Sequence, residues 1–186
     1  MTYDDVCATP ADIRAFWFEE LTPEDWFAKS DALDADIRHR FTATHLALAR
    51  HVDEVWRVTP ADRLAAVLVL DQFPRNIYRD TPLAFATDEL ARNEAKTAIE
   101  AGMDAMVPAE WRCFFYLPLE HSEAMADQDR CVELFEALGN ENYLDYARRH
   151  RDVVARYGRF PHRNPILGRF STHEEEAYLA EEGAGF

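Results

Sequence analysis

The chain has 186 residues, 48% of them hydrophobic, with 35 acidic against 20 basic side chains and a formal charge of −15. That length suits a single domain over 1–186 with a sizeable core, and the composition is that of a folded chain. An acidic surface repels phosphate backbones and anionic headgroups, so neither nucleic-acid nor membrane binding is expected.

The opening residues, Met1-Thr-Tyr-Asp-Asp-Val-Cys-Ala-Thr-Pro, lack a basic stretch followed by an apolar one, so no secretory leader is expected. The longest apolar run, Leu64 to Leu70, is far too short to cross a bilayer. These features predict a cytoplasmic protein. Cys7, Cys113 and Cys131 form no CxxC pair and have no metal-ligand spacing, and are read as reduced thiols. Lys29 and Lys96 are the two lysines; arginine, the better partner for a buried carboxylate, supplies the remaining basic charge.

Helix starts are marked at Thr9-Pro10-Ala11-Asp12, Thr22-Pro23-Glu24-Asp25 and Thr59-Pro60-Ala61-Asp62. Each places a threonine cap, a proline at the first helical position and an acid near the third. Ser171-Thr172-His173-Glu174-Glu175 reads the same way without the proline, and Gly102, Gly139 and Gly158 follow periodic stretches as left-handed caps do. Between these signals about eight helices are predicted, within 10–18, 23–29, 31–56, 60–72, 88–101, 108–117, 118–138, 142–157 and 172–182, with 23–29 barely two turns. No segment alternates with period two, so the fold class is all-α, in antiparallel helical hairpins.

In the fourth segment Leu64, Val67, Leu68 and Asp71 share a face, and Ala65, Ala66, Val69 and Leu70 cover the rest. Asp71 is therefore expected inside, where it needs an arginine such as Arg75, Arg79 or Arg163. Phe73-Pro74-Arg75-Asn76 is echoed by Phe160-Pro161-His162-Arg163-Asn164, and both are read as turns that break a helix while presenting arginine and asparagine.

Over 117–138, drawn as one helix, Met125, Val132 and Phe135 define an apolar stripe that Ala124, Cys131, Leu134 and Leu138 widen. Glu120, His121, Asp127 and Gln128 fall inside that sector, and Ser122, Asp129, Arg130 and Glu133 outside it. In the next helix Tyr143, Tyr146, Ala147, Val153, Val154 and Tyr157 form a stripe centred on His150, with Arg148 and Asp152 opposite. A lone histidine on such a stripe is usually a satisfied core residue. The set Asp71, Glu120, His121, Asp127, Gln128 and His150 reads equally as a packing network or as a ligand pocket.

Glu120, His121, His150 and His162 could ligate a metal, but no HExxH-type spacing supports one and no metal is assigned. Ser122 beside His121 is not a nucleophile pair, because adjacent helical residues do not face each other. Glycine-rich phosphate loops are absent, and no cofactor is expected.

Three segments together resemble a known family. They are Leu70-Asp71-Gln72-Phe73-Pro74-Arg75-Asn76-Ile77-Tyr78-Arg79, then Phe114-Phe115-Tyr116-Leu117-Pro118-Leu119-Glu120-His121-Ser122-Glu123 with Asp127-Gln128, and His150-Arg151-Asp152 with Gly158-Arg159-Phe160-Pro161-His162-Arg163-Asn164. With Phe16-Trp17-Phe18, and from about 11 to 180, the chain resembles the bacterial domain-of-unknown-function 924 family of the tetratricopeptide-like helical superfamily. The resemblance implies a tetratricopeptide-like α-α superhelix and no known activity. It adds Arg75, Asn76, Glu123, Asp152, His162, Arg163 and Asn164 to the candidates.

The expected function is a pocket for a small polar or anionic ligand. Glu120, His121, His150 and Asp71 would do any acid–base chemistry. Arg75, Asn76, Glu123, Asp127, Gln128, Asp152, His162, Arg163 and Asn164 would bind. The alternatives are an adaptor for a peptide or protein partner, and a polar network that only locks the fold.

Overall fold

The computed structural model describes residues 7–185, and the fold is all-α: eight α-helices and no strand among the described residues. They are α1 (Pro10–Ala15), α2 (Asp31–Arg50), α3 (Pro60–Ile77), α4 (Asp88–Glu100), α5 (Cys113–Glu120), α6 (Met125–Leu138), α7 (Glu141–Tyr157) and α8 (His173–Leu179). Two compact units are distinguished: Met1–Arg79 with Leu83–Pro118, and Asp80–Pro82 with Leu119–Phe186.

In the first unit α3 is central and packs against α1, α2 and α4. Its run from Leu64 to Asp71 is buried all round, as the apolar circumference predicts. Phe16, Trp17, Phe41, Phe73 and Phe114 fill the core in edge-on and tilted ring contacts. Thr9 and Thr59 cap α1 and α3 through their hydroxyls, with Pro10 and Pro60 next.

Three predicted boundaries here are corrected. Residues 23–27 form turns and 28–29 are irregular, so 23–29 is not a helix, and the long 31–56 helix stops at Arg50, where His51 is extended. A short 3-10 turn at Glu54–Arg57 then buries Trp56. Pro74 does not end α3, which runs on to Ile77. The proline withholds the N–H that the Leu70 carbonyl would receive. The hydroxyl of Thr87 donates to that carbonyl instead, at 2.6 Å.

In the second unit α6 and α7 form the expected antiparallel hairpin. The joint is Gly139, at φ 75°, and Asn140, whose side chain caps α7. Val153, Val154 and Phe160 form a core with Met125, Tyr157 and Tyr178 packed on it. α8 packs against a 3-10 turn at Pro161–Arg163.

The predicted 118–138 helix is two helices. Pro118 lies inside α5, and a turn at 121–124 separates α5 from α6. The break is stabilised by a side chain. Gln128 Nε2 donates to the carbonyls of Glu120 and Ser122 at 2.6 Å each, and to that of Leu119 at 3.4 Å, in place of helical N–H groups. Ser122 accepts from the Ala124 N–H and donates to Asp127 Oδ2 at 2.7 Å.

Candidate functional site

The second unit gathers most of the predicted polar residues. Glu120, Asp127, Gln128, His150, Arg163 and Asn164 are buried, while His121, Glu123 and His162 are half-buried. Glu120 ends α5, His121 opens the turn, Asp127 and Gln128 begin α6, and His150 sits mid-α7.

Phe160 is the hub. Its fully buried ring meets His150 edge-on and His162 obliquely, each with centroids 5.6 Å apart, and the Arg163 guanidinium lies 4.6 Å over it. Its backbone N–H donates to Glu123 Oε1 at 2.8 Å, and its carbonyl accepts from Arg169 at 3.0 Å. Arg169 also holds both oxygens of Glu123, at 2.8 and 2.9 Å. Burial works against the Glu123 charge. The Arg169 bonds and the Phe160 N–H outweigh it and hold the carboxyl below its usual range.

His150 is pushed down to about 3, chiefly by burial, with the positive charges of His121, His162 and Arg163 adding to the effect. Its Nδ1 lies 2.8 Å from the Tyr146 carbonyl, an acceptor only, so Nδ1 carries the proton of the neutral ring and Nε2 the lone pair. Glu120 Oε1 stands 3.6 Å from the same Nδ1. Burial, reinforced by Arg163, brings His162 down to about 4. Cys131, between α6 neighbours, has its thiol pushed well up by burial and by the charges of Glu120 and Asp127, so it is a core residue and no thiolate nucleophile.

Three other candidates belong to the first unit and have partners there. Asp71 is fully buried, with Gln72 donating at 2.6 Å and Arg75 Nη1 3.4 Å away. Arg75 also spans both oxygens of Asp88, at 2.9 and 3.1 Å, and Asn76 donates to Asp34 at 2.8 Å. Arg79, a suggested partner of Asp71, holds Asp34 instead. Asp152 is exposed on α7 beside Arg151, as the helical projection has it. The two echoed segments differ in form: Pro74, Arg75 and Asn76 are helical, whereas Pro161, His162 and Arg163 make a 3-10 turn.

Periodicity misses several supporting residues. Ser122, placed outside the apolar sector, is buried because the helix breaks there. Phe160 and Arg169 lie in irregular segments where periodicity is silent. Glu175 is legible only as an α8 start, but it is buried and also binds Arg159. Among the described residues, no group of three or more His, Cys, Asp or Glu side chains is placed to hold a metal ion. No helix among them is long and apolar enough to cross a membrane.

A family model described as a bacterial protein of unknown function (DUF924) matches residues 13–183. A solved structure of a protein of unknown function from Agrobacterium tumefaciens is similar, at 46% identity and a TM-score of 0.87. The match covers 92% of this chain and 96% of that one. No curated protein matches.

Proposed function

The chain belongs to this bacterial family of unknown function, and we propose that its second unit binds a small polar or anionic ligand among His121, His150, His162 and Arg163. One observation carries the reading. The Phe160 ring brings the buried His150 and half-buried His162 imidazoles, which burial keeps neutral, together with the Arg163 guanidinium.

A protein of charge −15 repels anions at large, so capture depends on local donors. Arg163 supplies a fixed positive charge. His150, with its Nδ1 proton directed to the Tyr146 carbonyl, is an uncharged imidazole on the same Phe160 ring. The candidate side chains are mostly buried, which favours a small molecule over a peptide lying along exposed helix faces.

The test is thermal unfolding of the whole protein with millimolar inorganic phosphate, against Arg163→Gln. Phosphate stabilises many proteins by exclusion from their surface, so the variant is the control. The midpoint is expected to rise with phosphate and to lose most of that rise in Arg163→Gln. Equal rises in both proteins, or none in either, would leave the cluster as a structural network.

A further inference from the structure

We propose that His45 is an acid-operated latch in the first unit. Uncharged, it locks α2 to the end of α3 and to the start of α4; on taking a proton it lets that corner open.

Four groups form a hydrogen-bond relay whose direction is set by its last member. Thr87 Oγ1 donates to the Leu70 carbonyl at 2.6 Å, and a carbonyl only accepts. The hydroxyl proton is therefore taken, so Thr87 Oγ1 faces His45 Nε2, 3.2 Å away, as an acceptor. Nε2 then carries the proton of the neutral ring, and Nδ1 holds the lone pair that receives the Tyr78 hydroxyl at 3.3 Å. The bonds run one way: from Tyr78 at the end of α3, through His45 on α2 and Thr87 before α4, back to Leu70 within α3.

Both ends of the relay hold backbone in place. Thr87 supplies the donor that Pro74 denies to Leu70, and its own carbonyl accepts the Ala91 N–H of α4 at 3.0 Å. The Tyr78 N–H closes α3 on the Pro74 carbonyl at 2.9 Å, and the Tyr78 ring meets the imidazole edge-on, with centroids 5.4 Å apart.

A second proton can enter the ring only at Nδ1. There it turns the acceptor facing Tyr78 into a donor and charges a buried side chain. No neighbour offsets that charge. From α3 the ring faces the Tyr78 phenol, which burial keeps protonated, and from the start of α4 it faces the uncharged Thr87 hydroxyl. The charged groups nearby are engaged elsewhere: Asp88 with Arg75, Asp34 with Arg79, and Arg38 with the Ile77 carbonyl. Burial alone accordingly brings His45 down to about 4. Turning the charged ring out to water relieves it, and releases Tyr78 and Thr87 together.

Amide hydrogen exchange of the full chain, corrected for its intrinsic pH dependence, tests the latch. Protection at the Tyr78 and Ala91 amides is expected to fall at least roughly tenfold from about pH 6.5 to about pH 4.5, while Val67 and Leu68 in mid-α3 stay protected. His45→Gln keeps a side-chain N–H for Thr87 but does not titrate there, so it should hold protection at Tyr78 and Ala91 constant. A fall shared equally by mid-α3, a fall that persists in His45→Gln, or no fall at all overturns the latch. Should the variant not fold, nitrogen NMR of the wild-type imidazole decides. A proton on Nε2 at neutral pH, with the ring titrating in step with the loss of protection, is the expected result. A proton on Nδ1, or titration out of step, overturns the proposal.

Discussion

His150 presents Nδ1 at 3.6 Å from Glu120 Oε1, but the proton on that nitrogen is directed to the Tyr146 carbonyl at 2.8 Å. The two side chains therefore meet as a carboxyl and an uncharged ring, because burial holds the imidazole neutral down to about pH 3.

Acid should destabilise the protein well before ordinary carboxylates titrate. His45 and His162, at about 4, and His150, at about 3, all lie below the unfolded value of 6.5. The unfolded chain thus takes up protons first, and the stability conferred by neutral rings is complete above about pH 6.5 and lost as pH falls. For His150 the loss is roughly 2 kcal/mol at about pH 5. Urea unfolding at neutral and mildly acid pH checks this, and His150→Gln should flatten the dependence. A wild-type stability independent of pH over that range would refute it.

Glu120→Gln keeps the shape of the site and removes a buried carboxyl. In a ligand site the fold tolerates such a group for function, so the variant is expected to unfold at the same or a higher temperature. A drop of more than about 2–4 °C, corresponding to about 1 kcal/mol, would assign Glu120 to a structural network.

Thr87 and Pro74 should be energetically coupled. Thr87 bridges the Leu70 carbonyl at 2.6 Å and His45 Nε2 at 3.2 Å, within the first unit. Thr87→Val should cost about 1–3 kcal/mol by stranding that carbonyl. Pro74→Ala restores the helical N–H, so the double variant should lose less than the sum of the two. Additive losses in denaturant titrations would show that Thr87 does not substitute for the missing donor.

Buried Glu175 depends on Arg159, which reaches its two oxygens at 2.6 and 2.7 Å. Arg159→Met leaves the carboxylate short of its cation and should lower the unfolding midpoint. Arg159→Met with Glu175→Gln should be milder than Arg159→Met alone. A double variant worse than the single would contradict the pairing.

Helical class, most helix starts and the burial of Asp71, Glu120, Asp127, Gln128 and His150 are legible in the sequence, because capping chemistry and the 3.6-residue period act locally. Periodicity places Glu120 and Asp127 inside by way of a helix that does not exist as drawn: the 121–124 break turns Ser122 inward and leaves those two buried. No period reveals that Gln128, eight residues on from Glu120, will take the carbonyls of that break. Likewise Pro74 continues a helix because a threonine thirteen residues later supplies the donor it lacks.

What the sequence by itself determined is which residues prefer the interior and where helices begin. Tertiary structure decided the partners: Arg75 for Asp88, Arg79 for Asp34, Arg169 for Glu123, and the Phe160 ring as the hub of His150, His162 and Arg163. A buried charge must find a counter-group, but its choice among many arginines depends on which helices and turns come within side-chain reach, and that is a property of packing rather than of spacing along the chain.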